Sequence, residues 1–344
     1  MNIFAKVAIR FTVPAVFFFC ATAAVAQTEV SISSWVPPSH LLVKDFLVPW
    51  TQEVEKATNG RVKFRFLPKM VANPIGHLDA VKDGLADLAF ISHSYTPARF
   101  PLTMFGVMPF AGRDAEARSV AVWRTYDKYL AKADEHQGVK LLTIYTHGPG
   151  MVFNSKHPIT KIEDFAGLKI RVGGGMAMDV GQAVGATVLQ KPAPESYELL
   201  SQGVVDGVFF PAESMVSFKL DKIIRYATEF PGGLYADTHA VIMNEAKFNS
   251  LSKQDQAILM KLAGEHMSRI AGKAWDKNDR EAYAVMKASN IQITTADAAF
   301  VNAIRERTRG FEAEWLKHAA AKGIDGPKVL ASFREELKKA EASK

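Results

Sequence analysis

The sequence predicts an α/β protein built from two similar lobes, and three observations carry that prediction. Short apolar strands alternate with helix-like runs in two separate series, 29–91 and 140–210, which is the pattern of parallel α/β units. About 318 of the 344 residues remain once an export leader is set aside, more than one hydrophobic core usually serves. The pieces Gly84-x-x-Asp87 and Gly203-x-x-Asp206 also recur in one context: a helix, a glycine, two residues, an aspartate and an apolar strand.

The leader comes first in the chain. Lys6 and Arg10 form a basic start, 11–25 is apolar, and Ala24-Val-Ala26 before Gln27 has the form of a signal-peptidase site. The only cysteine, Cys20, lies inside this segment, so the mature chain has no disulfide, no cysteine-ligated metal and no thiol nucleophile. The next segment, 29–35, alternates polar and apolar residues as a strand does, and Pro37-Pro38 breaks it. A helix follows over 41–58, stopped by Asn59-Gly60. Arg61-Val-Lys-Phe-Arg-Phe-Leu67 is the cleanest alternating strand; a short helix at 78–82 and a strand at 86–91 close the first series. The second series runs through strands at 140–145, 167–172, 187–189 and 204–210, with helices at 176–184 and 195–202. From Ser252 the texture turns helical. Ser252-Lys-Gln-Asp255 resembles a capping box, and Leu259, Ala263, Met267, Ile270 and Ala274 recur at helical spacing up to about 288. The tail, 300–343, reads as charged helix without an apolar seam.

Composition excludes several functions. Without the leader, 40 basic face 36 acidic residues, scattered rather than blocked, which leaves no nucleic-acid footprint. None of the nine histidines forms an H-x-x-x-H or H-E-x-x-H pair, so no local metal signature exists and no metal site is expected. Gly173-Gly-Gly-Met-Ala-Met178 fails the dinucleotide pattern, and no Walker lysine or G-x-S-x-G element is present, so neither a nucleotide cofactor nor a catalytic serine is indicated. What remains is a binding cleft. Arg171 ends a strand before a glycine turn, where a guanidinium can grip a carboxylate with two parallel hydrogen bonds or can simply lie on the surface. His40, His93, His147 and His239 each follow a strand, where α/β proteins place ligand-contacting residues, whereas His136, His157, His266 and His318 are expected on the surface. Phe209 and Phe210 are adjacent in a strand, so one is expected in the core and the other in the cleft. Glu213 alone does not establish acid–base chemistry.

Taken together, Phe153-Asn-Ser-Lys156-x-Pro158-Ile159, Glu163-Asp-x-x-Gly167-Leu-Lys-Ile-Arg171, Glu195-x-Tyr197-x-x-Leu200-x-x-Gly203-x-Val205-Asp206-Gly207 and Met243-Asn-Glu-Ala-Lys-Phe248 resemble the DctP-type substrate-binding proteins of tripartite ATP-independent periplasmic (TRAP) transporters. The resemblance implies a two-lobed periplasmic binding protein fold with crossing strands and a long lobe-spanning helix. Lobe I is expected over 27–148 with 237–275, lobe II over 149–236 with 276–344, and the spanning helix over about 252–288. It also implies a non-catalytic protein, exported to the periplasm, that closes over a small carboxylate and delivers it to TRAP membrane permease subunits without a cofactor. The family's ligand-binding arginine matches Arg171. Two departures bear on the ligand: where sialic-acid-type members have a second arginine this chain has Gly150, and where they have an asparagine it has Phe210. A ligand with one carboxylate and an apolar remainder is therefore expected, an aryl acid or 2-oxo acid ahead of a C4-dicarboxylate. Trp35, Tyr95, Met176, Phe209 and Phe210 are the candidate apolar wall, with Asn73, Glu213 and the four strand-end histidines completing the candidate site. A secreted enzyme or a ligand sensor using the same cleft remains the alternative.

Overall fold

The computed structural model describes residues 27–343; the leader and its cleavage after Ala26 lie outside them. Among the described residues the strands form two sheets. The first contains β1 (Thr28–Ser33), β2 (Val62–Phe66), β3 (Leu88–Ser92), β4 (Val139–Thr146) and β10 (Thr238–Asn244) in the order β2-β1-β3-β10-β4. The second contains β5 (Met151–Asn154), β6 (Lys169–Val172), β7 (Thr187–Gln190), β8 (Gly207–Phe210), β9 (Tyr226–Glu229) and β11 (Gln292–Thr295) in the order β11-β9-β5-β8-β6-β7. Each sheet is parallel except for one inserted strand. β10 runs antiparallel to β3 and β4, and β5 runs antiparallel to β8 and β9.

Those two insertions come from the chain's crossings between lobes. Segments 147–150 and 230–237 run side by side: His147 N donates to Asp237 O, Gly150 N to Tyr235 O and Leu234 N to Gly150 O. The sequence reading found β1 to β4 and β6 to β8 but not β5, β9, β10 or β11, which lie outside the two strand–helix series it followed.

The expected spanning helix is two helices. Ser252 caps the first, Lys253–Lys261, its hydroxyl accepting from Asp255 N at 3.1 Å. The chain then turns at Gly264, with φ +59°, into the long helix Glu265–Ala288. This bridging helix packs on the Ala115–Thr125 helix and β4 of the first lobe and on the Ser214–Ser217 helix of the second. Asp276 accepts from Ala115 N and Glu116 N at 2.7 and 3.1 Å, capping a helix the sequence reading missed.

The tail also departs from the expected lobe boundary. Phe300 and Ile304 pack into the second lobe with Phe165, Val180 and Phe230. The helices Phe311–Ala321 and Gly326–Ala342 instead return to the first lobe. There Trp315, Val329, Phe333 and Leu337 join Phe105, Val122 and Tyr126 in one core, and Trp315 Nε1 donates to Leu102 O at 3.0 Å. The tail does carry an apolar seam, at 329, 330, 333 and 337, spaced for one helix face but diluted by charged neighbours.

Candidate functional site

A cavity of about 60 Å³ lies between the lobes, and both lobes, the crossing segments and the bridging helix contribute to it. β1 leads to Trp35, whose Nε1 donates to Phe90 O at 3.3 Å and whose ring packs on Phe90 and Tyr95. His40 opens the next helix, its Nδ1 accepting from Leu42 N at 3.2 Å. β3 ends in Ser92, and the turn after it carries Ser94 and Tyr95. From the second lobe β6 delivers Arg171, and β8 delivers Phe209 and Phe210, followed by Glu213. The crossing segments bring His147, Tyr235 and Asp237, β10 brings His239, and the bridging helix brings Trp275.

Arg171 is 2 % exposed. Its Nε and Nη2 donate to Lys191 O at 2.8 and 2.5 Å, the Tyr95 hydroxyl lies beside it, and its guanidinium stacks over the Phe210 ring at 4.5 Å. Burial lowers its pKa, opposed by the neighbouring tyrosines. Among the described residues no carboxylate lies within ion-pair distance of it, and Glu195 acts on it only from further off, so the buried guanidinium borders the cavity without a salt-bridge partner. It is also the only Lys or Arg on the cavity wall among the described residues.

The imidazoles are neutral. Burial holds His40, His147 and His239 down to about 3, so they act as polar contacts rather than as cations. Burial pushes the Glu213 carboxyl up to about 7, against the hydroxyls of Ser214 and Ser217 that donate to it. Asp279 of the bridging helix accepts from Glu213 N at 2.8 Å and so ties this loop to the helix.

The expected residues therefore divide. Trp35, His40, Tyr95, His147, Arg171, Phe209, Phe210, Glu213 and His239 line the cavity. Phe209 and Phe210 belong to different apolar clusters, as adjacent strand residues must, yet each presents an edge to the cavity. Four candidates do not line it. Asn73 is exposed and caps the turn Pro74–Gly76, its Oδ1 accepting from Gly76 N. His93 is sealed behind the wall between Thr238 and His136. Gly150 lies beneath Tyr235, and Met176 faces a separate groove with Met104 and Met178. His136, expected on the surface, is 3 % exposed and bonded to His93 and the Tyr126 hydroxyl. The sequence reading missed Ser92, Ser94, Phe218, Tyr235, Asp237 and Trp275. One signal was present: residues 235, 237 and 239 alternate along an extended run, which puts all three on one face.

A profile of the bacterial extracellular solute-binding protein family 7, DctP, matches residues 32–318. The chain belongs to that family. Among solved structures, a TRAP periplasmic solute-binding protein from Bordetella bronchiseptica with bound (R)- and (S)-mandelate is 61% identical, with a TM-score of 0.90, over 91% of this chain and 99% of that one. A TRAP solute-binding protein from Rhodoferax ferrireducens in complex with copurified benzoate is 25% identical, with a TM-score of 0.85, over 92% and 99%. A marine-metagenome TRAP solute-binding protein specific for aromatic acid ligands, in complex with 3-hydroxybenzoate, is 28% identical, with a TM-score of 0.85, over 91% and 99%. The DctP-family protein described here thus has the two-lobed fold of TRAP solute-binding proteins, a periplasmic family.

Proposed function

We propose that this DctP-family protein captures a monocarboxylate with an aromatic remainder, of the mandelate or benzoate type, and presents it to TRAP permease subunits from the closed state. The single observation that supports this most is the buried guanidinium of Arg171, the one Lys or Arg on the wall among the described residues, in a cavity that also presents the rings of Trp35, Phe209, Phe210 and Phe218. A buried cation without a salt-bridge partner is costly, and a ligand carboxylate relieves it with charge-assisted, bidentate hydrogen bonds. The rings then take the apolar remainder. A C4-dicarboxylate fits poorly, because its second charge meets no second cation on the wall. The likeness to the mandelate-bound and benzoate-bound proteins points the same way. Export rests on the leader 1–26, removed after Ala26.

The test is a thermal-shift panel on mature protein, unfolded and refolded to strip carried-over ligand, with mandelate, benzoate, succinate and malate. A saturating aryl acid is expected to raise the midpoint by several degrees, since about a hundredfold excess over Kd adds about 2.7 kcal/mol. Arg171→Ala is expected to weaken aryl-acid binding by about 2–5 kcal/mol. A larger shift with succinate or malate, or undiminished affinity in Arg171→Ala, overturns the reading.

A further inference from the structure

The cavity contains a second charged side chain that carboxylate capture alone leaves unused. Asp237 lies on the second crossing segment and lines the cavity, keeping 14 % of its side chain's surface. Its Oδ2 accepts from the hydroxyls of Ser92 and Ser94 at 2.5 and 2.7 Å. Its neighbours of opposite potential charge, among the described residues, are His239, whose Nε2 is 3.9 Å away, and His147. Burial keeps both imidazoles neutral at physiological pH, so neither neutralises the aspartate. Asp237 is therefore a carboxylate held by two hydroxyl donors beside a ligand space. A carboxylate offers about four acceptor positions, of which the serines use two.

Asp237 is close to the carboxylate-binding end. Ser94 links them, because its Oγ donates to Asp237 and also stands, with Arg171, around Gly173. A Cβ at Gly173 would lie 3.1 Å from Ser94 Oγ and 3.9 Å from Arg171 Nη2. The glycine keeps open the gap between the guanidinium and the serine–aspartate cluster. A ligand whose carboxylate sits on Arg171 has the serine–aspartate cluster across that gap.

Resting on the assignment of an aryl monocarboxylate to this cavity, we propose that Asp237 accepts a hydrogen bond from a hydroxyl next to the ligand's carboxylate, so that the protein selects aryl 2-hydroxy acids over aryl 2-oxo acids. A 2-hydroxyl supplies the proton that Asp237 needs. A 2-oxo group presents an acceptor to an acceptor, and a second carboxylate presents a like charge. Ser92 and Ser94 are positioning residues: they fix the carboxylate's orientation through Oδ2 and leave Oδ1 free of side-chain donors.

The experiment is calorimetric titration of the refolded wild-type protein with mandelate, phenylglyoxylate, α-methoxyphenylacetate and benzoate. Mandelate is expected to bind about 10- to 100-fold more tightly than phenylglyoxylate, the range for a hydrogen bond to a charged group. α-Methoxyphenylacetate, which keeps the oxygen but lacks the proton, is expected to lose a similar factor. In Asp237→Asn the amide both donates and accepts, so mandelate is expected to weaken, phenylglyoxylate to gain, and the ratio to fall to about threefold or less. Equal wild-type affinities for mandelate and phenylglyoxylate overturn the proposal, as does an unchanged ratio in Asp237→Asn. The wild-type comparison decides by itself if that variant does not fold. Arg171-dependent binding of all four acids with equal affinity refutes the role of Asp237 and leaves aryl-acid capture standing; binding of none refutes aryl-acid capture itself.

Discussion

Gly150 gives the missing second arginine a steric reason. A Cβ there would lie 2.3 Å from two ring carbons of Tyr235 and 2.8 Å from its carbonyl oxygen. The Tyr235 ring stacks on Phe209 and lines the cavity, so only glycine lets it lie against the crossing segment. Gly150→Ala is expected to drive the ring toward the cavity, costing about 1–3 kcal/mol of stability and weakening aryl-acid affinity about tenfold or more. Urea unfolding and titration with mandelate check both, and unchanged affinity at reduced stability shows that the ring moved elsewhere. Away from the site, Glu135 carries a pH-dependent cost. Its Oε1 accepts from Leu102 N at 2.9 Å, its Oε2 is buried without a partner, and burial pushes the carboxyl up to about 7. A folded pKa raised above the unfolded one means that the stabilisation is fully present below about pH 4.5 and is lost as pH rises through about 7. Between about pH 5 and about pH 8, Glu135→Gln is expected to gain about 1–3 kcal/mol on the wild-type protein; a constant difference across that range refutes the cost. Arg171 was legible because strand, arginine and glycine turn are contiguous in sequence. Trp275 was not, since nothing local distinguishes it until the bridging helix brings it to the cavity, and for Asp237 the alternation of 235, 237 and 239 shows a shared face but not that the face borders the cavity.

The bridging helix shows what one element contributes beyond its own stability. At Gly272 it approaches the start of the Ala115–Thr125 helix so closely that a Cβ would lie 2.4 Å from Glu116 Cα and 2.7 Å from Glu116 N. One turn on, Asp276 caps that same helix. Two effects oppose each other in Gly272→Ala. Helix propensity favours alanine by about 1 kcal/mol, whereas overpacking costs about 1–3 kcal/mol. Because the clash is with backbone, which cannot rotate away as a side chain does, overpacking is expected to win and to lower the urea midpoint. A raised midpoint defeats this account of the close approach. Elements were legible where their signal is local: the Ser252 cap, the end of the long helix at Ala288 and the alternation of β2. The break at Gly264 was not, since its backbone sits against Trp123, far away in sequence. The tail's return to the first lobe was likewise hidden, because an apolar stripe shows that a helix packs but not on which partner.

In the whole molecule, the contacts that close the cleft also organise the carboxylate-binding end. Tyr95 belongs to the first lobe, yet its hydroxyl accepts from Ala193 N of the second at 2.9 Å and lies beside Arg171. Gly174 meets Ser94 across the same line, where a Cβ would stand 2.3 Å from the Ser94 carbonyl oxygen. Arg171 therefore has one partner fixed within its own lobe, Lys191 O, and another supplied by the first lobe. Ligand shifts the population toward closure only in so far as the closed form binds it better, and Tyr95 is where that difference is built. Tyr95→Phe keeps the ring against Trp35 but removes the hydroxyl, leaving the buried Ala193 N–H unpaired when the lobes meet. Such a loss costs about 1–3 kcal/mol, so aryl-acid affinity is expected to fall about 5- to 150-fold. Because the bond spans the cleft, the variant is expected to need proportionally more ligand to reach the same compaction in small-angle scattering, while the compact form at saturation stays the same. An unchanged affinity accompanied by lower ligand-free stability instead makes Tyr95 a packing residue of the first lobe.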